Sequence, residues 1–216
     1  MEDRLTESWN AFPEEIAKRY LKTFGSPSED SRRTMADILS KLSRQVRNKD
    51  RTLRILDVGC GNGNFAEYLA SRALRFSYVG VDFSDVLLKA ALVAYPQGKF
   101  IHDDVNELAE VKANFDVVCY SHVIEMLSSP EASLQAAATL APKIIIRFFE
   151  PPIERPDRVD LLEMDVGTGT GVPYLRRKMS IDYYRLILHK IGCHAVDVYR
   201  STSNDQIHVL HLKKNK

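Results

Sequence analysis

Residues 53–63 read LRILDVGCGNG, an apolar run that ends in the pattern D-x-G-x-G-x-G between Asp57 and Gly63. Glycines at this spacing let a backbone approach a ligand closely, and a helix that starts just behind the loop offers the free N–H groups of its first turn. LRIL reads as a strand and helical composition begins near Asn64, so the loop has the strand–loop–helix setting it needs. Nineteen residues beyond Gly63, the run VGVD ends in Asp82, where an acid can accept ribose hydroxyls. The stretch therefore predicts the start of a parallel, doubly wound sheet that binds a nucleotide.

The same pattern recurs as DVGTGTG between Asp165 and Gly171. The residues behind it, VPYLRRKMS, carry a proline and a basic cluster instead of a helix, and only 45 residues remain. The first repeat is expected to bind the nucleotide. The second, with Gly167, Gly169 and Gly171 after a proline-rich entry, is expected to be the hinge of a substrate lid.

Short β-branched runs alternate with helical segments from Leu53 onward, the order of an α/β sheet covered on both faces. LRILDV, FSYVGV, KFI, FDVVCY and KIIIRFF are five expected strands, and AVDVY and IHVLHL, separated by the turn-like STSND, form an apparent closing hairpin. Helices are expected over 64–74, 84–94, 131–140 and 181–191. The last is opened by Ser180 and closed by Gly192. Two amphipathic helices, over 13–24 and 31–46, form an N-terminal cap within residues 1–50. Residues 51–150 then form the cofactor-binding half, 151–180 an aperiodic lid, and 181–216 the last helix and closing strands, all in one domain.

The 216 residues suffice for one sizeable core, and 30 basic against 29 acidic residues leave no basic surface suited to nucleic acid. The N-terminus has no apolar signal core and no run approaches the ~18 apolar residues of a membrane span, so a soluble, cytoplasmic protein is expected. Cys60, Cys119 and Cys193 are widely spaced and read as structural thiols of a reducing compartment, with no metal-ligand spacing.

Gly61, Gly63 and Ala66 also satisfy the G-x-G-x-x-A form of a dinucleotide loop. Asp57 decides between the cofactors: a carboxylate at the loop repels a pyrophosphate but attracts an ammonium and a sulfonium, which points to S-adenosylmethionine. The ordered motifs from Leu53 to about Phe149 resemble those of the class I S-adenosylmethionine-dependent methyltransferases. That resemblance implies a Rossmann-like, seven-stranded, mostly parallel sheet with an antiparallel last strand. It also implies a cofactor site of Asp57, Gly59, Gly61 and Gly63 in the first motif and Asp82 and Phe83 in the second. In FIHDDVNEL it implies Asp104 and Val105 at the adenine, with Asp103 the near alternative, and at the end of FDVVCYSHVIEML, Ser121. Two departures are visible: LAPK stands where many relatives have L-x-P-G-G, and Met126 where many have a histidine. The fourth motif also lacks the N-P-P-Y type sequence of enzymes acting on adenine or amide nitrogens.

Methyl transfer needs alignment of the nucleophile, exclusion of water and sometimes removal of a proton. His122, just beyond the fourth strand, is the first candidate for that base, or else caps and packs its loop; Glu125 is the second. Tyr174, Arg176 and Arg177 are candidates for gripping an anionic acceptor, or a solvated charge cluster. Trp9, Phe12 and Tyr20 close over the cofactor or belong to the core. The expected activity is methyl transfer to an oxygen or nitrogen of a small molecule. A peptide or RNA acceptor, a non-catalytic cofactor-binding protein and a nicotinamide oxidoreductase are the alternatives.

Overall fold

The computed structural model describes residues 30–46, 51–72, 74–165, 171–201 and 205–213. The expected first cap helix, with Trp9, Phe12 and Tyr20, lies outside them. The second is present as α1 (Asp30–Gln45).

Seven strands form one sheet: β1 (Leu53–Val58), β2 (Phe76–Asp82), β3 (Lys99–His102), β4 (Val117–Ser121), β5 (Lys143–Phe148), β8 (Cys193–Arg200) and β9 (Gln206–Leu212). Their order is β3-β2-β1-β4-β5-β9-β8. Pairs among the first five are parallel, and β9 runs antiparallel to both β5 and β8. The α/β class, the seven strands and the antiparallel last strand all agree with the sequence reading.

Alternate residues of each central strand feed opposite faces of the sheet. Leu53, Ile55, Val117, Cys119, Ile145, Ile207 and Val209 pack with Met35, Ile38 and Leu39 of α1 and with the helices α2 (Asn64–Ser71) and α3 (Asp85–Ala94). Leu56, Val58, Val118, Tyr120, Ile144, Ile146 and Leu210 pack beneath α4 (Pro130–Leu140) and α5 (Ile181–Lys190). Burial on both faces is why the strands read as unbroken apolar runs.

The lid segment corrects the sequence reading. It is not aperiodic: β6 (Arg158–Asp165) and β7 (Gly171–Lys178) pair antiparallel in register from Arg158↔Lys178 to Asp165↔Gly171. The second glycine repeat thus links two paired strands, where no helix follows. Residues 166–170, including Gly167 and Gly169, are outside the described residues. Among the described residues, no helix is long and apolar enough to cross a membrane.

Candidate functional site

In open α/β sheets a ligand crevice forms beyond the carboxyl ends of the strands, where the strand order reverses. Here the chain winds outward through β2 and β3 and then returns to the other side of β1 as β4. A cavity of about 280 Å³ lies at these ends, lined by residues of the glycine loop, by Asp82 and Phe83 behind β2, by Ser121 and His122 at the end of β4, and by Arg147 and Phe149 of β5 and its end.

The glycine loop is shaped by backbone that side chains would obstruct. Gly59 has φ +68°, and a Cβ there would sit 2.5 Å from Val123 Cγ2; Gly63, at φ +75°, would meet the backbone of α3 at Ala91 at 3.0 Å. The Gly59 and Cys60 amides donate to Val81 O at 2.8 and 3.0 Å, tying the loop to β2. Gly61 N–H donates to Asp82 Oδ2 (2.9 Å) and Ser84 N–H to Asp82 Oδ1 (3.0 Å), so the carboxylate is fixed with lone pairs to spare at the cavity wall. Burial raises the Asp82 carboxyl above its usual range, and those amides oppose the rise.

Asp57 is only 2% exposed and lines the same cavity. Its Oδ2 accepts the Tyr78 hydroxyl at 2.5 Å, while Oδ1 is buried with no hydrogen-bond partner among the described residues. Desolvation pushes its carboxyl up to about 7; the Tyr78 hydrogen bond opposes this and the Asp82 charge adds to it. A buried carboxylate oxygen without a donor is costly, and a cation in the cavity would satisfy it.

The opposite wall carries cations and the imidazole. His122 has φ +60°, an uncommon value outside glycine, and its N–H donates to Arg147 O at 3.0 Å. Its ring stacks on Phe149 with centroids 3.5 Å apart, and Nε2 lies 3.1 Å from Asp205 Oδ2. Arg147, 6% exposed, donates Nε to that same oxygen at 2.7 Å. Partial burial alone would raise the Asp205 carboxyl, but the hydrogen bonds and charges of His122 and Arg147 outweigh it and hold it below the usual range. Arg32 of α1 completes the cationic lining.

Of the expected site residues, Asp57, Gly59, Gly61, Asp82, Phe83, Val105, Ser121 and His122 line the cavity. Gly63 sits just behind as the N-cap of α2. Asp104 and its alternative Asp103 do not line it; their carboxylates close their own loop, Asp104 on the Asn106 amide (2.8 Å) and Asp103 on the Asp104 and Glu110 amides (2.8 and 2.7 Å). Val105 is held at the wall from behind, since Ser133 Oγ donates to its carbonyl and bonds Tyr120 Oη.

Glu125 is fully buried and accepts the amides of Phe149 (3.1 Å) and Glu150 (2.9 Å). It therefore fixes the chain as it leaves β5 and does not line the cavity. Tyr174, Arg176 and Arg177 also lie outside the cavity lining. Arg177 pairs with Asp157, and Arg176 bonds Glu150 at 2.8 Å with its guanidinium 5.3 Å over the Phe149 ring. The basic cluster thus anchors the hairpin to the end of β5. Arg147, Asp205, Arg32 and Phe149 are site residues that sequence reasoning missed.

The sequence pattern of the methyltransferase domain family matches residues 28–198. The chain belongs to that family. It is 29% identical over 182 residues to the trans-aconitate 2-methyltransferase of Enterobacter sp. (strain 638), covering 79% of this chain and 66% of the relative. It is 33% identical over 93 residues to the ubiquinone biosynthesis O-methyltransferase of Azoarcus sp. (strain BH72), covering 41% and 39%. The chain therefore spans about two-thirds or less of these relatives' length. The family's fold extends to solved structures: Streptomyces venezuelae DesVI superposes with a TM-score of 0.66 at 15% identity, over 91% of this chain and 98% of that one. The sugar N-methyltransferase KedS8 from Streptoalloteichus sp. gives 0.63 at 15%, over 90% and 92%.

Proposed function

We propose that this chain is an S-adenosylmethionine-dependent methyltransferase acting on an oxygen or nitrogen of a small molecule. The observation that carries the proposal is the polarity of one cavity: buried carboxylates of Asp57 and Asp82 at the ends of β1 and β2, and His122 and Arg147 at β4 and β5. The orphaned Asp57 Oδ1 and the loop's close approach fit a cofactor with an ammonium group and a sulfonium. They do not fit a dinucleotide pyrophosphate. When bound, S-adenosylmethionine supplies an electrophilic methyl carbon on a sulfonium whose leaving group is a neutral thioether.

Asp57 holds the cofactor's ammonium group, Asp82 its ribose hydroxyls, and Phe83 and Val105 flank the adenine. Met126, Leu127 and Phe149 exclude water from the acceptor end. The relatives' names, an aconitate and a ubiquinone-pathway enzyme among them, support a small-molecule acceptor. Arg32 lines the cavity and can meet an anionic group on that acceptor, whereas Arg176 and Arg177, the residues singled out by sequence, lie outside the lining and pair with Glu150 and Asp157. The near-balance of charge, 30 basic against 29 acidic residues, argues against a nucleic-acid substrate. Residues 30–213 act as one catalytic unit, with the β6–β7 hairpin as a wall above β5.

Calorimetry on Asp82→Ala tests the reading. Loss of a charge-assisted hydrogen bond is expected to weaken S-adenosylmethionine binding by roughly 1.5–3 kcal/mol. An unchanged affinity would remove Asp82 from the cofactor site.

A further inference from the structure

We infer that Ser133 and Tyr120 are positioning residues for the cofactor's base: they hold Val105 at the cavity wall from the side of the core, and their loss weakens the adenine end of binding alone. The inference rests on the methyltransferase reading above, in which Val105 flanks the adenine. It begins from a mismatch in α4. Pro130, Ser133, Leu134 and Ala137 form the buried face of that helix. Their spacing, i, i+3, i+4 and i+7, asks for an apolar residue at 133, yet a fully buried serine stands there.

A hydroxyl taken out of water is costly unless it is bonded, and this one is bonded on both sides. Ser133 Oγ donates to Val105 O at 2.5 Å, and Tyr120 Oη, also buried, lies 2.9 Å from Ser133 Oγ and 3.1 Å from the Ser133 carbonyl oxygen. A serine hydroxyl has one proton, and here it is on Val105 O, so Tyr120 is the donor to Ser133. Burial raises the Tyr120 phenol above its usual range, outweighing the opposing Ser133 bond, which keeps that proton in place. The result is one chain of donors from β4 through α4 to the loop after β3, each bond polarising the next.

The chain joins two parts of the cavity wall. Val105 is the residue of the loop 103–111 that lines the cavity, and Ser121 and His122, which follow Tyr120 directly, line it at the end of β4. The loop has a second tie to the same helix, since Ser129 N–H donates to Asn106 Oδ1 at 3.0 Å. Asp103 and Asp104 close the loop on its own amides. Removing the Ser133 hydroxyl leaves Tyr120 its bond to the carbonyl of residue 133 but takes that donor from Val105 O. The cost therefore falls on the adenine end of the cavity.

The test is calorimetric binding of S-adenosylhomocysteine, 5′-methylthioadenosine and the base-free S-ribosylhomocysteine to wild type, Ser133→Ala, Tyr120→Phe and the double variant, with a melting curve on each protein. In Ser133→Ala, affinity for the two adenine-bearing ligands is expected to fall by the same factor, roughly tenfold, while that for S-ribosylhomocysteine is unchanged. Tyr120→Phe shows the same pattern with a smaller loss. The double variant loses no more than Ser133→Ala alone, because Tyr120 acts through Ser133. Equal weakening of all three ligands overturns the inference and leaves Ser133 a structural residue. So does an unchanged S-adenosylhomocysteine affinity in Ser133→Ala, or losses that add in the double variant. Tyr120→Phe removes a single oxygen, so its ligand pattern decides the matter if Ser133→Ala does not fold. Failure of wild type to bind S-adenosylhomocysteine would instead overturn the methyltransferase reading itself.

Discussion

Replacing His122 with alanine is expected to lower turnover by ~10²–10⁴-fold, the usual effect of removing a general base, while cofactor affinity stays within a few-fold. The separation of the two effects follows from the geometry. His122 lies on the cationic wall with Arg147 and Phe149, whereas the cofactor's ammonium and ribose are assigned to Asp57 and Asp82 at the glycine loop. The backbone at 122 is anchored by its own N–H to Arg147 O, a bond that alanine keeps. Steady-state rates and calorimetric titrations on the same preparation check this. A variant within a few-fold of the wild-type rate would reduce His122 to a packing partner of Phe149.

Asp57→Asn is expected to move stability and cofactor binding in opposite directions. Burial raises the Asp57 carboxyl from 3.8 in the unfolded chain to about 7 in the fold. The folded state then holds a proton that the unfolded state releases, so stability present at low pH is lost as pH rises from about 4 to about 7. At roughly 1.4 kcal/mol per unit, the loss is on the order of 4 kcal/mol. Glu125, raised from 4.5 to about 7 by burial, adds a loss of the same sign that the variant leaves in place. Asparagine can still accept the Tyr78 hydroxyl but never ionises. The ligand-free variant is therefore expected to be more stable than wild type at pH 8 and nearly equal to it at pH 4. It also loses the charge that holds the ammonium, so S-adenosylmethionine binds more weakly, and the wild-type tightening between pH 6 and 8 disappears. Melting curves and titrations across that range check both halves. A variant destabilised equally at every pH would show that Asp57 is a structural partner of Tyr78 alone.

The sheet was legible because its central strands are buried on both faces and so appear as runs such as KIIIRFF, and because helices follow β1, β2 and β4. The glycine loop was legible because its function depends on local backbone. The β6–β7 hairpin was not, because a two-stranded ribbon draws its stability from pairing and from ion pairs with Glu150 and Asp157 rather than from an apolar run, and because Pro173 stands in β7, where an edge strand tolerates it. The partners of Arg176 and Arg177 lie 26 and 20 residues away, so charge alone could not separate an anchor from a substrate clamp. Arg147 did leave a signal: a lone arginine within KIIIRFF, in a strand bound for burial, must find a carboxylate. Nothing in STSND identified Asp205 as that carboxylate. The pairing emerges only when β9 returns antiparallel beside β5 and brings Ile207 opposite Arg147.

The central claim is that the first glycine repeat, not the second, holds S-adenosylmethionine at the carboxyl ends of β1, β2 and β4. Amide chemical-shift mapping during a titration with S-adenosylmethionine tests it most directly. The account predicts saturable one-to-one shifts at Gly59, Gly61, Phe83, Val105, Ser121 and His122, with no comparable shifts on adding NADH. Shifts centred on Asp165 and Gly171 instead, or an equal response to NADH, would contradict it.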